Sequence, residues 1–242
     1  MDFHAPLELA RLERRYKRFL ADVTLADGRA LTAHCANPGA MIGLAEPGMQ
    51  VGLLPAKNPK SKLSHSWELC HADGDWVGIN TGRPNRLVEE ALQADIIPEL
   101  SGYSLHRREV KYGENSRIDL LLEEPEQPAC YVEIKNVHLM RKPGLAEFPD
   151  SVTARGAKHL DELTAMVGLG HRAVMLFVVQ RNDCKSLTLA SDLDPNYARA
   201  FDRACTAGVE ILCYTCSVST TDITIDRRLP LEWQNAEKDE KR

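Results

Sequence analysis

Apolar and polar positions alternate along much of the first 80 residues. Phe19, Ala21, Val23 and Leu25 fall on every second position, the period of a strand with one buried face. Asp27-Gly28 follows as a tight-turn pair, so Tyr16 to Thr32 is predicted to be a hairpin. Met49 to Leu54 predicts a further short strand, and Ser66 to Asn80 a second hairpin with Asp73-Gly74 at its tip. His34 to Met41 (HCANPGAM) carries Asn-Pro-Gly and reads as a loop, with Asn37 and its backbone amides available to an anion. Residues 1–10 show no clear period and read as a loose or edge segment. Roughly five short strands without a long helix predict a small antiparallel, OB-fold-like barrel over residues 1–82.

The pattern then changes. Thr81 to Asn85 (TGRPN) is turn-like and reads as a linker. Asn85 to Ala94 is helical, with Leu87, Val88, Ala91 and Leu92 on one face. Tyr103 to Val110 predicts a strand, and Pro143 to Asp150 a loop. A second helix is expected from Ser151 to Val167, capped by Asp150 or Ser151, with Val152, Leu160, Leu163 and Val167 as its apolar stripe. Ala173 to Gln180 is a run without polar interruption until its end, as a fully buried strand requires. Asp194-Pro195 opens a third helix that stops near Gly208, and Val209 to Cys216 is another buried strand. Strands alternating with helices predict an α/β unit over residues 83–232, followed by a polar, mobile tail, 233–242.

Within that unit, Arg117 to Asn136 (RIDLLLEEPEQPACYVEIKN) reads as a hairpin with chemistry on it. Pairing Leu122 with Cys130 sets Leu120 opposite Val132 and Ile118 opposite Ile134, an apolar face. The same register sets Asp119 opposite Glu133, with Lys135 two residues further on. Directly opposed side chains have Cβ atoms about 5 Å apart, and like charges there are destabilising. A divalent cation is the simplest compensation. The plainer alternative is a solvated face whose carboxylates pair with Arg117 and Lys135.

Charge and composition narrow the choices. The net charge of −5 does not announce a nucleic-acid binder, but local patches decide that question. The densest basic segment, Arg11 to Arg18, holds Arg15 and Lys17. Aromatic residues make up only 6%, leaving Tyr16, Phe19, Trp67 and Trp76 as candidates for stacking on bases. The seven scattered cysteines do not suggest a disulfide framework. Cys213 and Cys216 form a CxxC, yet in a strand positions three apart face opposite ways, so core cysteines are expected there and not a zinc site. No run approaches the ~20 apolar residues of a membrane helix, and the N-terminus lacks the build of a secretory signal, so a cytoplasmic protein is expected.

The order helix, three strands, helix, strand, with Asp119 and Glu133-Ile134-Lys135 on the second and third strands, resembles the PD-(D/E)xK (restriction-endonuclease-like) nuclease superfamily. In that arrangement Asp119, Glu133 and the Ile134 carbonyl would hold Mg2+ or Mn2+. Lys135 would orient a water or offset charge on the phosphate. Glu109, or Glu89 and Glu90, could complete the shell. Arg155, Lys158 and Gln180 would contact the DNA backbone, with Arg117, Arg15, Lys17 and Asn37 as further DNA-binding candidates. A closer resemblance covers residues 11–230. HCANPGAM (34–41), GINTGRPNRLVEEAL (78–92), REVKYGENSRIDLLL (108–122), VEIKNVHL (132–139), FPDSVTARGAKHLDEL (148–163) and FVVQRND (177–183) resemble the sugar fermentation stimulation protein A family. That resemblance implies an OB-like domain, a nuclease-like domain, non-sequence-specific DNA binding and a role in sugar (maltose) metabolism genes. It carries the nuclease motif onto Asp119, Glu133 and Lys135, with Glu109 as a fourth member. Leu120 stands where the family often has phenylalanine, a core exchange. Two other functions stay open: a non-catalytic DNA-binding regulator, and a module binding a small anionic ligand through the loop around Asn37 and Gly39.

Overall fold

The computed structural model describes residues 1–58, 60–113 and 116–233; most of the expected tail, 234–242, lies outside them. The first unit is built on β1 (Glu8–Tyr16), which begins within the stretch expected to be loose or at an edge. Its inward positions are Ala10 and Leu12, while Arg11, Glu13 and Arg14 point outward. The density of charge had masked the two-residue period. β2 (Leu20–Leu25) and β3 (Ala30–Cys35) form the predicted hairpin, followed by β4 (Gln50–Pro55), β5 (His65–Ala72) and β6 (Asp75–Gly78). The sheet order is β3-β2-β1-β4-β5-β6, and a further β3–β5 pairing closes the first five strands into a barrel. Its interior holds Leu12, Val23, Cys35, Leu53 and Trp67, each fully buried. Trp67 is therefore a core residue and has no face to offer a base.

After helix α1 (Pro84–Gln93), the second unit takes β7 (Leu105–Tyr112), β8 (Ser116–Glu124) and β9 (Gln127–Val137) as an antiparallel meander. Next come β10 (Leu139–Lys142), β11 (Leu145–Phe148), α2 (Ala154–Gly168), β12 (Arg172–Val179) and β13 (Ser186–Leu189). The chain ends with α3 (Pro195–Ala207), β14 (Glu210–Val218) and β15 (Ile223–Arg228). The main sheet runs β15-β14-β12-β9-β8-β7, with β12 parallel to both β9 and β14. α1 covers one face through Leu87, Val88 and Ala91. α2 and α3 cover the other through Leu160, Leu163, Tyr197 and Phe201. Both faces being buried explains the uninterrupted apolar run of β12. Cys213 and Cys216 separate onto the two faces, both buried, and all seven cysteines are free thiols.

Three details differ from expectation. The stretch from Pro143 to Asp150 holds β11, which pairs with β10 and runs parallel to β13 in a small three-stranded sheet, instead of a loop. α2 is capped by Thr153, whose side chain accepts from Gly156 N–H; Val152 precedes the helix and is 72% exposed. Trp233 is docked, edge-on to Phe201 and donating to Asp202. No helix among the described residues is long and apolar enough to cross a membrane.

The two units are joined along a polar seam. Gly78 N–H donates to the Gln180 carbonyl at 2.9 Å, and Val77 bridges to Arg181. A Cβ at Gly78 would lie 2.6 Å from Gln180 Oε1, so only glycine allows this approach. Arg181, 1% exposed, bonds Asp73 in the β5–β6 turn together with Asp183 and the His138 carbonyl.

Candidate active site

Between the barrel loop 36–41, the start of α1, the middle of β8 and β9 and the approach to α2 lies a cleft of about 1070 Å³. The β8–β9 register holds as far as Leu122↔Cys130 and Leu120↔Val132, and there the pairing ends. Past that point Ile118 packs on the α2 side, while Leu120 and Leu122 pack beneath α1. The expected pairs Asp119–Glu133 and Ile118–Ile134 do not form. Instead Asp119 Oδ2 accepts from Ile134 N–H at 2.8 Å. A strand residue directs its N–H and C=O to the same neighbour, so the Ile134 carbonyl faces the opening that the parted strands leave. Asp119 Oδ1 accepts from Asn85 on the first turn of α1, at 3.0 Å.

Glu133 is not on a solvated face. It is 2% exposed, under α2. Its Oε1 accepts from Lys135 Nζ at 2.7 Å and from His159 Nδ1, while Oε2 is buried with no partner among the described residues. Burial alone would raise its pKa, but the bonds from His159 and Lys135 outweigh burial and hold the carboxyl below its ordinary range. For Asp119 the balance falls the other way. Burial, then the Glu133 charge, push its carboxyl up against the bonds from Ile134 and Asn85.

The remaining candidates divide. Glu109 lies between the paired positions Arg108↔Leu120 and Val110↔Ile118, at the level of Asp119, and lines the cleft. Its φ of +51° is a strained conformation for a non-glycine residue. Arg117 donates to the Glu109 carbonyl at 3.0 Å and braces that bend, outside the cleft lining. Arg155 lines the cleft, but Lys158 does not; it faces Glu162.

Three of the DNA-binding candidates are engaged within the protein. Gln180 is fully buried at the seam, donating to the Asn80 carbonyl and to Asn136 Oδ1. Asn37 lines the cleft, yet its amide is committed: Nδ2 to the Ile79 carbonyl and Oδ1 to Gly39 N–H. Arg15 donates to the carbonyls of Asn37 and Gly39, so its guanidinium braces the loop. Lys17 sits at the β1–β2 turn with φ +48°, outside the cleft lining, and Arg18 beside it reaches the cleft. Glu89 and Glu90 pair with Arg108 and Arg86 and are also outside the lining.

Sequence reasoning did not place Arg18, Asn85, Arg108, His138 or Asp150 in the cleft, and it grouped His159 with Arg155 and Lys158 on one charged, phosphate-contacting face of the helix. His138 bonds Asp150 Oδ2 at 3.3 Å, and Asp150 also accepts from Met41 N–H across the seam. A signal for His159 existed. It falls three before Glu162 and four before Leu163, on the buried arc of α2 and not on its wet face.

Among the described residues no group of three His, Cys, Asp or Glu side chains closes around a metal position. Two carboxylates and a backbone carbonyl nevertheless suit Mg2+, which keeps waters and takes phosphate oxygens for the rest. The unpartnered Oε2 of Glu133 and the raised pKa of Asp119 are what an added cation would relieve.

A closed barrel followed by an α/β sheet with Asp and Glu-x-Lys on parting strands defines an OB-plus-nuclease-like protein. The comparisons with known proteins agree. Residues 14–79 match the SfsA N-terminal OB domain and residues 82–222 the sugar fermentation stimulation protein RE domain. The chain belongs to the sugar fermentation stimulation protein family. It is 54% identical over 232 residues to a sugar fermentation stimulation protein homolog of Brucella anthropi, covering 96% of this chain and all of that one. The Brucella ovis homolog is equally similar, with 98% of its length covered. Among solved structures, Pyrococcus furiosus SfsA in complex with Ca2+ superposes with a TM-score of 0.87 at 27% identity, covering 96% of this chain and 98% of that one.

Proposed function

We propose that the cleft binds DNA without regard to sequence and cuts a phosphodiester with the help of Mg2+ or Mn2+. The observation that carries this reading is the parting of β8 and β9 after Leu120–Val132. It sets Asp119, Glu133, the Ile134 backbone and Lys135 around one opening. Asp119, Glu133 Oε2 and the Ile134 carbonyl would hold the cation. When bound, it would polarise a phosphoryl oxygen and lower the pKa of a water. Lys135, tied to Glu133, places a positive charge where charge develops on the phosphate. Arg18 from the β1–β2 turn and Arg155 from α2 both line the cleft and offer phosphate contacts, which position a backbone without reading sequence. The lining carries Arg18, Arg108, Lys135 and Arg155 against Glu109, Asp119, Glu133 and Asp150. Charges of the two signs balance, so a divalent cation would turn the cleft positive enough for DNA. The relative that binds Ca2+ supports a hard-cation site. A role in sugar (maltose) metabolism would follow from acting on DNA.

The test is labelled single- and double-stranded DNA incubated with and without Mg2+ or Mn2+. Cleavage that needs the metal and falls at least a hundredfold in Asp119→Asn, about 3 kcal/mol of barrier, is the expected result. Wild type and Asp119→Asn giving equal products refutes the catalytic claim. One observation favours a second reading, a non-catalytic DNA-binding regulator: both Asp119 oxygens already have protein partners. It predicts DNA retention that Glu133→Gln leaves unchanged, with no cleavage.

A further inference from the structure

The two oxygens of Glu133 are not equivalent. Oε1 takes both Lys135 Nζ and His159 Nδ1, while Oε2 has no partner among the described residues. His159 comes from α2 and is 4% exposed. Its other ring nitrogen, Nε2, accepts from Arg155 Nε at 3.2 Å. A guanidinium only donates and a carboxylate only accepts, so Nε2 carries no proton and Nδ1 donates to Glu133, its nearest partner. Lys135 Nζ stands further off, 3.4 Å from Nδ1, and gives its short bond to Glu133. The ring is the neutral tautomer that donates to Glu133. Arg155 and His159 are four residues apart on one helix, where side chains meet. An exposed arginine thus fixes the tautomer of a buried histidine, and that histidine fixes a carboxylate.

Resting on the cation site proposed above, we propose that His159 is a positioning residue for Glu133, with Arg155 as the partner that sets its tautomer. A free carboxylate turns about its last torsion and offers either oxygen. Anchored at Oε1 from two sides, Glu133 leaves Oε2 alone without a protein partner among the described residues. Lys135 supplies one anchor but is needed for the phosphate. His159 keeps Glu133 in place whether or not Lys135 turns to substrate. Partners that orient a metal-binding group typically change affinity 10- to 100-fold when removed.

The test uses the full chain and Mn2+ alone, without DNA, with free Mn2+ followed by electron paramagnetic resonance. Wild type is expected to bind. His159→Ala should weaken binding about 10- to 100-fold. His159→Asn, whose amide nitrogen stands near the place of Nδ1, should recover most of that loss. Arg155→Ala should also weaken binding, by several-fold. The sign of this last effect is diagnostic, because removing a positive charge beside a cation site otherwise tightens it. Arg155 is exposed, so its variant tests the idea even if His159→Ala does not fold. Arg155→Ala binding Mn2+ as tightly as wild type or tighter, or His159→Asn no better than a folded His159→Ala, overturns the positioning role and leaves the cation site standing. A wild type that binds no Mn2+ overturns both.

Discussion

Asp150 shows how one side chain can serve two units. Its carboxylate accepts from Met41 N–H in the barrel loop and from His138 in the sheet unit, and it lies so close to Gly39 that a Cβ there would be 2.4 Å away. Burial would raise its pKa, but the His138 bond and charge and the Met41 N–H hold it down to about 2. A carboxyl depressed by folding contributes stability above its ordinary pKa and loses it as pH falls through the folded value. Asp150→Asn should therefore cost about 2 kcal/mol at pH 7. The gap between the two proteins should close between about pH 4 and pH 2. Urea unfolding at several pH values measures it, and a gap that does not narrow toward pH 2 contradicts the account. Little of this was readable beforehand. Asp119, Glu133 and Lys135 share a short motif within two strands, so periodicity alone brought them near one another. Asp150 and Met41 are 109 positions apart, and no local pattern carries that meeting.

At the scale of elements, α2 is the one that arms the cleft. Thr153 caps it, Arg155 opens its first turn and His159 sits one turn further in. Thr153→Ala should cost about 1 kcal/mol through loss of the cap bond. Because Arg155 lies in the capped turn and His159 in the next, it should also weaken Mn2+ binding modestly. Parallel melting and Mn2+ titrations would show this, and a normal melting temperature would remove the cap from the explanation. The helix itself was legible from Leu160, Leu163 and the glycines at its end. Its start was not, since Asp150, Ser151 and Thr153 are all good caps and Asp150 is engaged elsewhere. The hairpin register was legible to Leu120–Val132 because apolar positions fix it. Its breaking beyond Leu120 was not, because strand parting depends on Asn85 and the Ile134 N–H capturing Asp119, a contact between distant elements.

For the whole molecule, the seam is as well organised as either core. Arg181 is 1% exposed, and removing one member of a buried ion pair typically costs about 3–5 kcal/mol. The lower end, about 3 kcal/mol, applies because the Asp73 side chain is 55% exposed and water can replace its partner. Arg181→Leu leaves Asp73 and Asp183 without their shared partner. Its melting temperature should fall by about 10 °C in a chain of this size, and a calorimetric trace matching wild type would refute the seam's importance. From Arg181 the bonds run on without a gap. Gln180 donates to Asn136, Asn136 bonds His138, His138 bonds Asp150, and Asp150 takes the barrel's Met41 N–H. This continuity bears on how such proteins can be recombined. A chimera that took its barrel from one relative and its sheet unit from another would divide the core that barrel Leu69 shares with α1 and the main sheet, and would also mismatch this chain of partners. Asp73, Gly39, Met41 and Gly78 would have to travel together with Asn136, His138, Asp150, Gln180 and Arg181. The smallest exchangeable module of this fold is therefore a set of residues scattered over both units, and neither unit by itself.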